Sequence, residues 1–176
     1  MALENQVNLY SVDTGNFYTK KERALHNKNA KIRAERKIIA EKLMIDGEAP
    51  DLQDYKFYCF DGKPVYCQVI GSRSTDETID FFDMEWNHMP FIGLITKNSH
   101  ETFSNTQIPR PKTLDQMIEA AKIMSGEFSF VRVDLYEING RMYFGEMTFT
   151  PASGGGKFRP DEMDFEMGKM LKVNGE

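Results

Sequence analysis

The sequence is poor in the residues on which disulfide-linked and zinc-binding proteins depend. Its 2 cysteines, Cys59 and Cys67, flank an Asp61-Gly62 turn signal. They are expected to be reduced core residues, because cysteine is among the most buried residue types. The sequence has no Cys-x-x-Cys pair, and its 3 histidines are scattered along the chain. Neither a zinc site nor a catalytic nucleophile paired with a histidine base is therefore predicted.

Long apolar runs and an excess of positive charge are also absent. No stretch is apolar for long enough to span a bilayer, and no signal peptide is visible. The net charge is −5, whereas domains that bind nucleic acid are normally basic. The sequence thus predicts a cytoplasmic protein with no membrane span and no nucleic-acid partner.

The most informative stretch is a predicted β-hairpin at residues 130–150, FVRVDLYEINGRMYFGEMTFT. Side chains two apart in a strand share a face, so Arg132 and Asp134 point to one side and the intervening apolar residues to the other. The turn signal is Asn139-Gly140. A two-residue turn there would put Asp134 and Glu146 on opposite faces. A three-residue loop that starts one residue earlier would put them on the same face.

The three-residue register would gather a polar cluster on one face. Arg132 would lie across from Glu146, with Asp134 diagonal to it and Thr148 on the same side. Two carboxylates beside an arginine suit Mg²⁺ and the phosphates that it bridges, because Mg²⁺ prefers oxygen ligands. The alternative is a surface hairpin whose solvent face happens to carry charges.

This hairpin resembles the metal-binding hairpin of ATP-grasp enzymes, whose pattern is close to R-x-D…E-x-N-x-x-P. The matching positions here are Arg132, Asp134, Glu146, Thr148 and Pro151. Thr148 is a departure, since asparagine is usual at that place. The resemblance implies that Asp134, Glu146 and Thr148 hold Mg²⁺ and that Arg132 stabilises the acyl phosphate.

An upstream segment, residues 38–48, looks like the adenine-binding strand and hinge of the same superfamily, E-K-x-L…G-E. The corresponding residues are Glu41, Lys42, Met44, Gly47 and Glu48. The candidate nucleotide contacts are Glu41, Lys42, Leu43, Met44 and Glu48. By that resemblance Glu41 would accept a hydrogen bond from the adenine amino group, the backbone that follows would pair with the ring edge, and Glu48 would bind the ribose hydroxyls. An ordinary edge strand is the alternative for this segment.

Several stretches of the sequence are similar to the TupA-like ATP-grasp family, which is associated with teichuronopeptide synthesis. The similar stretches are DYKFYCFDGKP, FFDMEWN, RVDLY…YFGEMTF and KFRPDEMD, and the resemblance runs from about Lys37 to Leu171. It implies ATP-dependent ligation, in which a carboxylate attacks ATP and an amine captures the acyl phosphate. The implied partners are ATP, Mg²⁺, a carboxylate donor and an amine acceptor. A glycan or an amino acid would serve as the donor or the acceptor. The implied pathway is the assembly of bacterial capsular or cell-wall polymers.

The expected fold is α+β, the ATP-grasp C-terminal subdomain, with a mainly antiparallel sheet and flanking helices. Residues 37–176 would form this nucleotide- and metal-binding domain, and residues 1–36 a remnant of the preceding subdomain. The glycine-rich flap and phosphate-binding lysine of that subdomain are not visible, so the chain is expected to be truncated. A non-catalytic remnant that acts as a binding domain is the alternative. Exposed strand edges would then favour self-association or pairing with a missing N-terminal half.

Several other residues have both a functional and an ordinary interpretation. Lys56 and Arg73 would reach the nucleotide or the acyl phosphate. The alternative is that Lys56 is an ordinary cation on a strand and Arg73 an ordinary cation in a loop. The basic segment 20–37 is interpreted as a solvated helix; the alternatives are a site for an anionic polymer and a face turned to nucleotide phosphate. Lys157 and Arg159, beside a glycine-rich loop, would contact the acceptor.

Helices and loops are predicted around this hairpin. Residues 113–125 form the clearest helix, with Thr113 and Gln116 as a capping box and Gly126 ending it. A last helix is predicted near residues 161–172. The stretch 72–110 is turn-rich and is expected to hold the acceptor-facing loops.

Overall fold

The computed structural model describes residues 52–71, 77–95 and 107–171, and every structural statement below concerns these residues. The strands and helices are, in chain order, β1 (Asp54–Phe60), β2 (Lys63–Gly71), β3 (Thr78–Phe82), β4 (His88–Met89), β5 (Ile92–Ile95), α1 (Leu114–Ser125), β6 (Phe130–Ile138), β7 (Arg141–Thr148), β8 (Lys157–Arg159) and α2 (Glu162–Lys169). The predicted α+β class is confirmed. In this part of the chain, neither helix is long and apolar enough to cross a membrane.

Six of the strands form one antiparallel sheet in the order β4-β3-β2-β1-β6-β7, and β5 pairs with β8 in a separate two-stranded sheet. The sequence also predicts strands at about residues 55–60 and 65–71, and β1 and β2 confirm them. Strands β3, β4 and β5 lie in the stretch expected to be loops. They are 5, 2 and 4 residues long, too short for alternation to be read from the sequence.

The two faces of the large sheet carry separate apolar clusters. Helix α1 covers one face, where the buried residues are Tyr55, Phe57, Cys59, Cys67, Val69, Phe82, Ile108, Leu114, Met117, Ala121, Val131, Val133 and Leu135. Strand β8 and helix α2 contribute to the other cluster, which includes Tyr58, Phe60, Phe81, Phe91, Phe158 and Met167. Each fully buried large apolar side chain contributes about 1.5–3 kcal/mol relative to an exposed one.

Both cysteines are unpaired and buried, as expected. Burial raises the pKa of the Cys59 thiol to about 12. The thiols therefore remain protonated and belong to the core that α1 covers.

The turn between β6 and β7 is the two-residue type, so the three-residue loop is wrong. Asn139 and Gly140 have φ values of 53° and 69°, as a type I′ hairpin turn requires, and Ile138 pairs with Arg141. A regular hairpin with this turn would place Glu146 on the face opposite Asp134. A β-bulge prevents this outcome.

The bulge is at Gly145. Leu135 pairs with Phe144, but the preceding residue Asp134 pairs with Glu146, so Gly145 has no partner across the ladder. A side chain would not fit there, since a Cβ on Gly145 would lie 2.8 Å from the Tyr136 ring and 3.0 Å from the Asp134 carbonyl oxygen. The extra residue returns Glu146 to the face of Asp134.

The N-terminus of α1 is capped differently from the prediction. Thr113 is the N-cap residue but makes no side-chain capping hydrogen bond, so the capping box with Gln116 is wrong. Instead, the backbone N–H and the hydroxyl of Thr113 both donate to Glu137 Oε2, at 2.7 Å each. A carboxylate from the end of β6 thus fixes the start of the helix, where negative charge is favourable.

We expect Glu137→Ala to lower the free energy of unfolding by about 1–2 kcal/mol, because it removes two hydrogen bonds to a charged acceptor. Glu137→Gln keeps one acceptor oxygen without the charge and should fall between Ala and wild type. Urea denaturation of the three proteins measures the order. Equal stability of all three would show that this cap contributes nothing.

Candidate functional site

The polar residues of the sheet lie in two neighbouring rows across β1, β6 and β7. In the first row Lys56 pairs with Asp134, and Asp134 with Glu146. In the second row Tyr58 pairs with Arg132, and Arg132 with Thr148. Directly opposite residues have Cβ atoms about 4.5–5.5 Å apart, so the register alone brings these side chains into contact.

Arg132 is clamped along one edge of its guanidinium. Its Nε donates to Asp134 Oδ1 and its NH2 to Asp134 Oδ2, both at 2.7 Å. This bidentate geometry is the strongest form of arginine–carboxylate hydrogen bonding. NH2 also donates to Glu146 Oε1 at 3.2 Å and to Thr148 Oγ1 at 3.1 Å.

Asp134 keeps the Arg132 guanidinium in its charged form. Burial works to lower the pKa of the guanidinium, but the hydrogen bonds and charge of Asp134 outweigh it and raise the pKa of Arg132. Among the described carboxylates, none accepts from NH1. That nitrogen is the part of the guanidinium best suited to a further anion.

Lys56 joins the same cluster from β1. Its ammonium donates to Asp134 Oδ2 at 2.5 Å and lies 3.5 Å from Asp54 Oδ2. The Lys56 and Asp134 side chains are 8% and 1% exposed, so this pair is screened little by water. With Arg132 and Glu146, the cluster holds two cations and three carboxylates.

Glu146 differs from Asp134 in its access to solvent. Its side chain is 46% exposed, whereas Asp134 is buried. Glu146 Oε1 accepts from Arg132 and from Thr148 Oγ1, the latter at 3.1 Å. Of the described residues, none donates to Oε2. One oxygen of Glu146 is consequently placed to meet a ligand.

A tight turn and a glycine-rich loop follow this strand. The turn, Pro151–Gly154, contains Ala152 and Ser153 at φ values of 47° and 53°, a left-handed conformation that is uncommon for residues with a side chain. Beyond it, Arg159 makes an ion pair with Asp161. The expectation that Lys157 and Arg159 contact an acceptor remains a prediction.

The remaining predicted site residues lie outside the described residues. They are Arg73 and the hinge residues Glu41, Lys42, Leu43, Met44 and Glu48. The predicted domain boundary at residue 36 lies there as well, and so does the basic segment 20–37.

Sequence reasoning missed three residues that shape the site: Asp54, Tyr58 and Gly145. The two residues on β1 carried a usable signal, since Asp54 and Tyr58 are each two positions from Lys56 and share its face. Gly145 carried a weaker one, because glycine inside a strand often marks a bulge.

A family model matches most of the sequence. The family model for TupA-like ATPgrasp matches residues 4–172. The chain belongs to the TupA-like ATP-grasp family. No curated protein and no solved structure gives a significant match.

Mg²⁺, which ATP-grasp enzymes generally use, fits the residues of this hairpin. A carboxylate has about four acceptor positions, and the described neighbours occupy three on Asp134 and two on Glu146. The oxygens left over, with the Thr148 hydroxyl, are the hard donors that Mg²⁺ prefers. Across the described part of the chain, no three His, Cys, Asp or Glu side chains come together as metal ligands. The pair is the candidate because Mg²⁺ is usually bound by one or two carboxylates together with substrate phosphates.

Proposed function

We propose that this TupA-like ATP-grasp protein is an ATP-dependent carboxylate–amine ligase. The observation that carries the proposal is the cluster of Arg132, Lys56, Asp134 and Glu146 on one sheet face. A paired arginine and lysine beside two carboxylates suit phosphoryl transfer, in which catalysis is mostly positioning and electrostatic stabilisation.

The proposed reaction has two steps. A substrate carboxylate oxygen attacks the γ-phosphorus of ATP, the bond to the β-phosphate oxygen breaks, and ADP leaves. A substrate amine then attacks the acyl phosphate, loses a proton, and expels inorganic phosphate to leave an amide. Neither step needs a protein nucleophile, which agrees with the lack of a paired serine or cysteine and base in the sequence.

The residues of this chain would supply the charges that these steps require. Arg132, held by Asp134, would stabilise negative charge on the acyl phosphate and on the tetrahedral intermediate. Lys56 and Arg73 are proposed to assist at the phosphates. Asp134, Glu146 and Thr148 would hold Mg²⁺, which when bound neutralises charge on the ATP phosphates.

The nucleotide itself is proposed to lie on the hinge segment. Glu41 would accept from the adenine amino group, the backbone of residues 42–44 would pair with the ring edge, and Glu48 would bind the ribose. The donor and acceptor are proposed to belong to bacterial capsular, cell-wall or teichuronopeptide assembly. The proposed compartment is the cytoplasm, where ATP is available.

Calorimetric titration with ATP, with and without Mg²⁺, tests this proposal. We expect Mg²⁺-dependent binding that Glu146→Ala weakens about tenfold or more, which is about 1.4 kcal/mol. Glu41→Ala should weaken binding similarly, by loss of the adenine contact. Because the Glu146 side chain is half exposed, its removal should change stability by less than about 1 kcal/mol.

Glu119→Ala is the matched control. Glu119 lies on α1, its side chain is 62% exposed, and its nearest cation is Lys122, so ATP binding should be unchanged. If a folded wild-type protein binds no ATP under either condition, the ligase proposal is wrong for this chain. A non-catalytic binding domain would then be the better description.

A further inference from the structure

Lys56 is a buried lysine that lies between two buried carboxylates. Its Nζ is 2.5 Å from Asp134 Oδ2 and 3.5 Å from Asp54 Oδ2. The Asp134 and Asp54 side chains are only 1% and 2% exposed. The shorter distance is that of a charge-assisted hydrogen bond, whereas the longer one is that of an ion pair without such a bond. Lys56 therefore belongs to Asp134 in this structure but has a second carboxylate within reach.

The acceptor positions of Asp134 are almost all taken. Its Oδ2 accepts from both Lys56 Nζ and Arg132 NH2, and its Oδ1 accepts from Arg132 Nε. These bonds use three of the four or so positions that a carboxylate offers. Mg²⁺ usually keeps several of its waters when it binds a protein, so it needs more room than a side chain that is 1% exposed allows. Contact between Asp134 and such a cation requires Lys56 or Arg132 to give way.

Lys56 is the side chain that can give way. Arg132 makes both bonds of a bidentate pair with Asp134, and its planar fork is matched to that carboxylate. Lys56 makes one bond, and its ammonium is a point charge on a flexible four-carbon stem. A movement of its Nζ by about 0.7 Å would turn the ion pair with Asp54 into a hydrogen bond.

The charges of the cluster favour the same exchange. A divalent cation on Asp134 would repel the Lys56 ammonium, and repulsion between buried charges is screened little by water. A buried ammonium without a carboxylate partner would be costly. Asp54 lies two residues before Lys56 on the same face of β1, so it offers that partner with little movement. An ammonium has three donor hydrogens, and contact with Asp54 leaves others for the ATP phosphates.

We propose that Lys56 exchanges carboxylates during cation binding: it covers Asp134 Oδ2 until a divalent cation arrives and then moves to Asp54. Asp54 is accordingly a positioning residue that acts through Lys56. The inference rests on the proposed function for the cation site at Asp134. It adds that the site opens by displacement of a lysine of the same cluster.

The first test follows the Lys56 ammonium by nitrogen-resolved NMR in protein without nucleotide. The Nζ signal is assigned through the carbons of its own side chain, so no substitution of Lys56 is needed. We expect Mg²⁺ to shift this signal in wild type, because the hydrogen-bond acceptor changes. Asp54→Asn keeps the size of the side chain but not its charge and should reduce the shift at the same Mg²⁺ concentration.

The second test measures Mn²⁺ binding without nucleotide by electron paramagnetic resonance, since Mn²⁺ suits the same oxygen ligands. We expect Asp54→Asn to weaken Mn²⁺ binding about fivefold when Lys56 is present and less than about twofold in the Lys56→Met background. Direct attraction between Asp54 and the cation would instead give equal losses in both backgrounds. Lys56→Met alone should tighten Mn²⁺ binding, because Asp134 Oδ2 is then uncovered.

Two further variants complete the second test. Lys56→Gln replaces Lys56→Met if the methionine variant folds poorly. Lys122→Met is the matched control, because Lys122 is 62% exposed and forms its ion pair on α1 with Glu119. Loss of this surface lysine should change Mn²⁺ binding less than about twofold.

The outcomes separate this inference from the proposed function. A Lys56 signal that neither Mg²⁺ alone nor Mg²⁺ with ATP shifts would overturn the exchange, and so would equal Asp54→Asn losses in both Mn²⁺ backgrounds. In either case Mg²⁺-dependent ATP binding would leave the ligase proposal standing. If Mg²⁺ shifts the Lys56 signal as expected but ATP does not bind, the exchange stands and the ligase proposal fails.

Discussion

Replacing Arg132 with methionine should lower the free energy of unfolding by about 3–5 kcal/mol and abolish ATP binding. Arg132 contributes both hydrogen bonds of the bidentate clamp on Asp134, whose side chain is 1% exposed. Without the guanidinium, a buried carboxylate would keep only Lys56 as a charged partner at hydrogen-bond distance among the described residues. Chemical denaturation measures the first effect and calorimetry the second.

Two further variants separate stability from function. Arg132→Met combined with Asp134→Leu removes the buried arginine–carboxylate pair but leaves the buried Lys56 with only Asp54 as a carboxylate partner, at 3.5 Å. We expect the double variant to recover part of the lost stability but none of the ATP binding. Arg132→Lys keeps the charge without the planar fork and should be intermediate in stability. A single Arg132→Met variant as stable as wild type would contradict this account of the cluster.

Replacing Gly145 with valine should lower the free energy of unfolding by about 2–3 kcal/mol, as overpacking does, and remove Glu146 from the site. The new Cβ would meet backbone as well as the Tyr136 ring, at 3.0 Å and 2.8 Å. The strain would be relieved if β7 shifted by one residue and closed the bulge. Such a shift turns the side chains that follow position 145 to the other face of the sheet. Denaturation and ATP calorimetry again give the two readouts.

Deleting Gly145 should lower stability and ATP binding less than replacing it with valine. The two-residue turn, without the extra residue, gives a regular hairpin in which Glu146 still pairs with Asp134. ATP binding by the deletion variant should therefore be nearer to wild type than that of Gly145→Val. Gly168→Val is the substitution control, because nothing lies within 4 Å of a Cβ at Gly168. A deletion more harmful than the valine would show that the bulge has another role.

The two strands of the hairpin differ in how far their sequence predicts them. β6 alternates apolar and polar residues, and Val131, Val133 and Leu135 are fully buried as predicted. β7 contains Gly145, the residue at the bulge. Whether such a bulge forms depends on the pairing energy of all the residues along β6 and β7. The turn prediction was accordingly wrong in loop length, although Asp134 and Glu146 do share a face.

Contacts between distant elements escaped sequence reasoning for a related reason. The carboxylate that holds the start of α1 is Glu137, 24 residues from Thr113. Lys56 and Asp134 are 78 residues apart, and no local pattern distinguishes a buried lysine from an exposed one.

The sequence by itself determined the α+β class, the apolar face of β6, the position of α1 and the family motif R-x-D with a following glutamate. These depend on periodicity and residue type, which are local properties of the chain. The tertiary structure decided the bulge, the burial of Lys56 and Asp134, and the hydrogen bonds from Arg132 to Asp134, Glu146 and Thr148. Those features depend on strand register and on desolvation by neighbours far along the chain, which exist only after the sheet has formed.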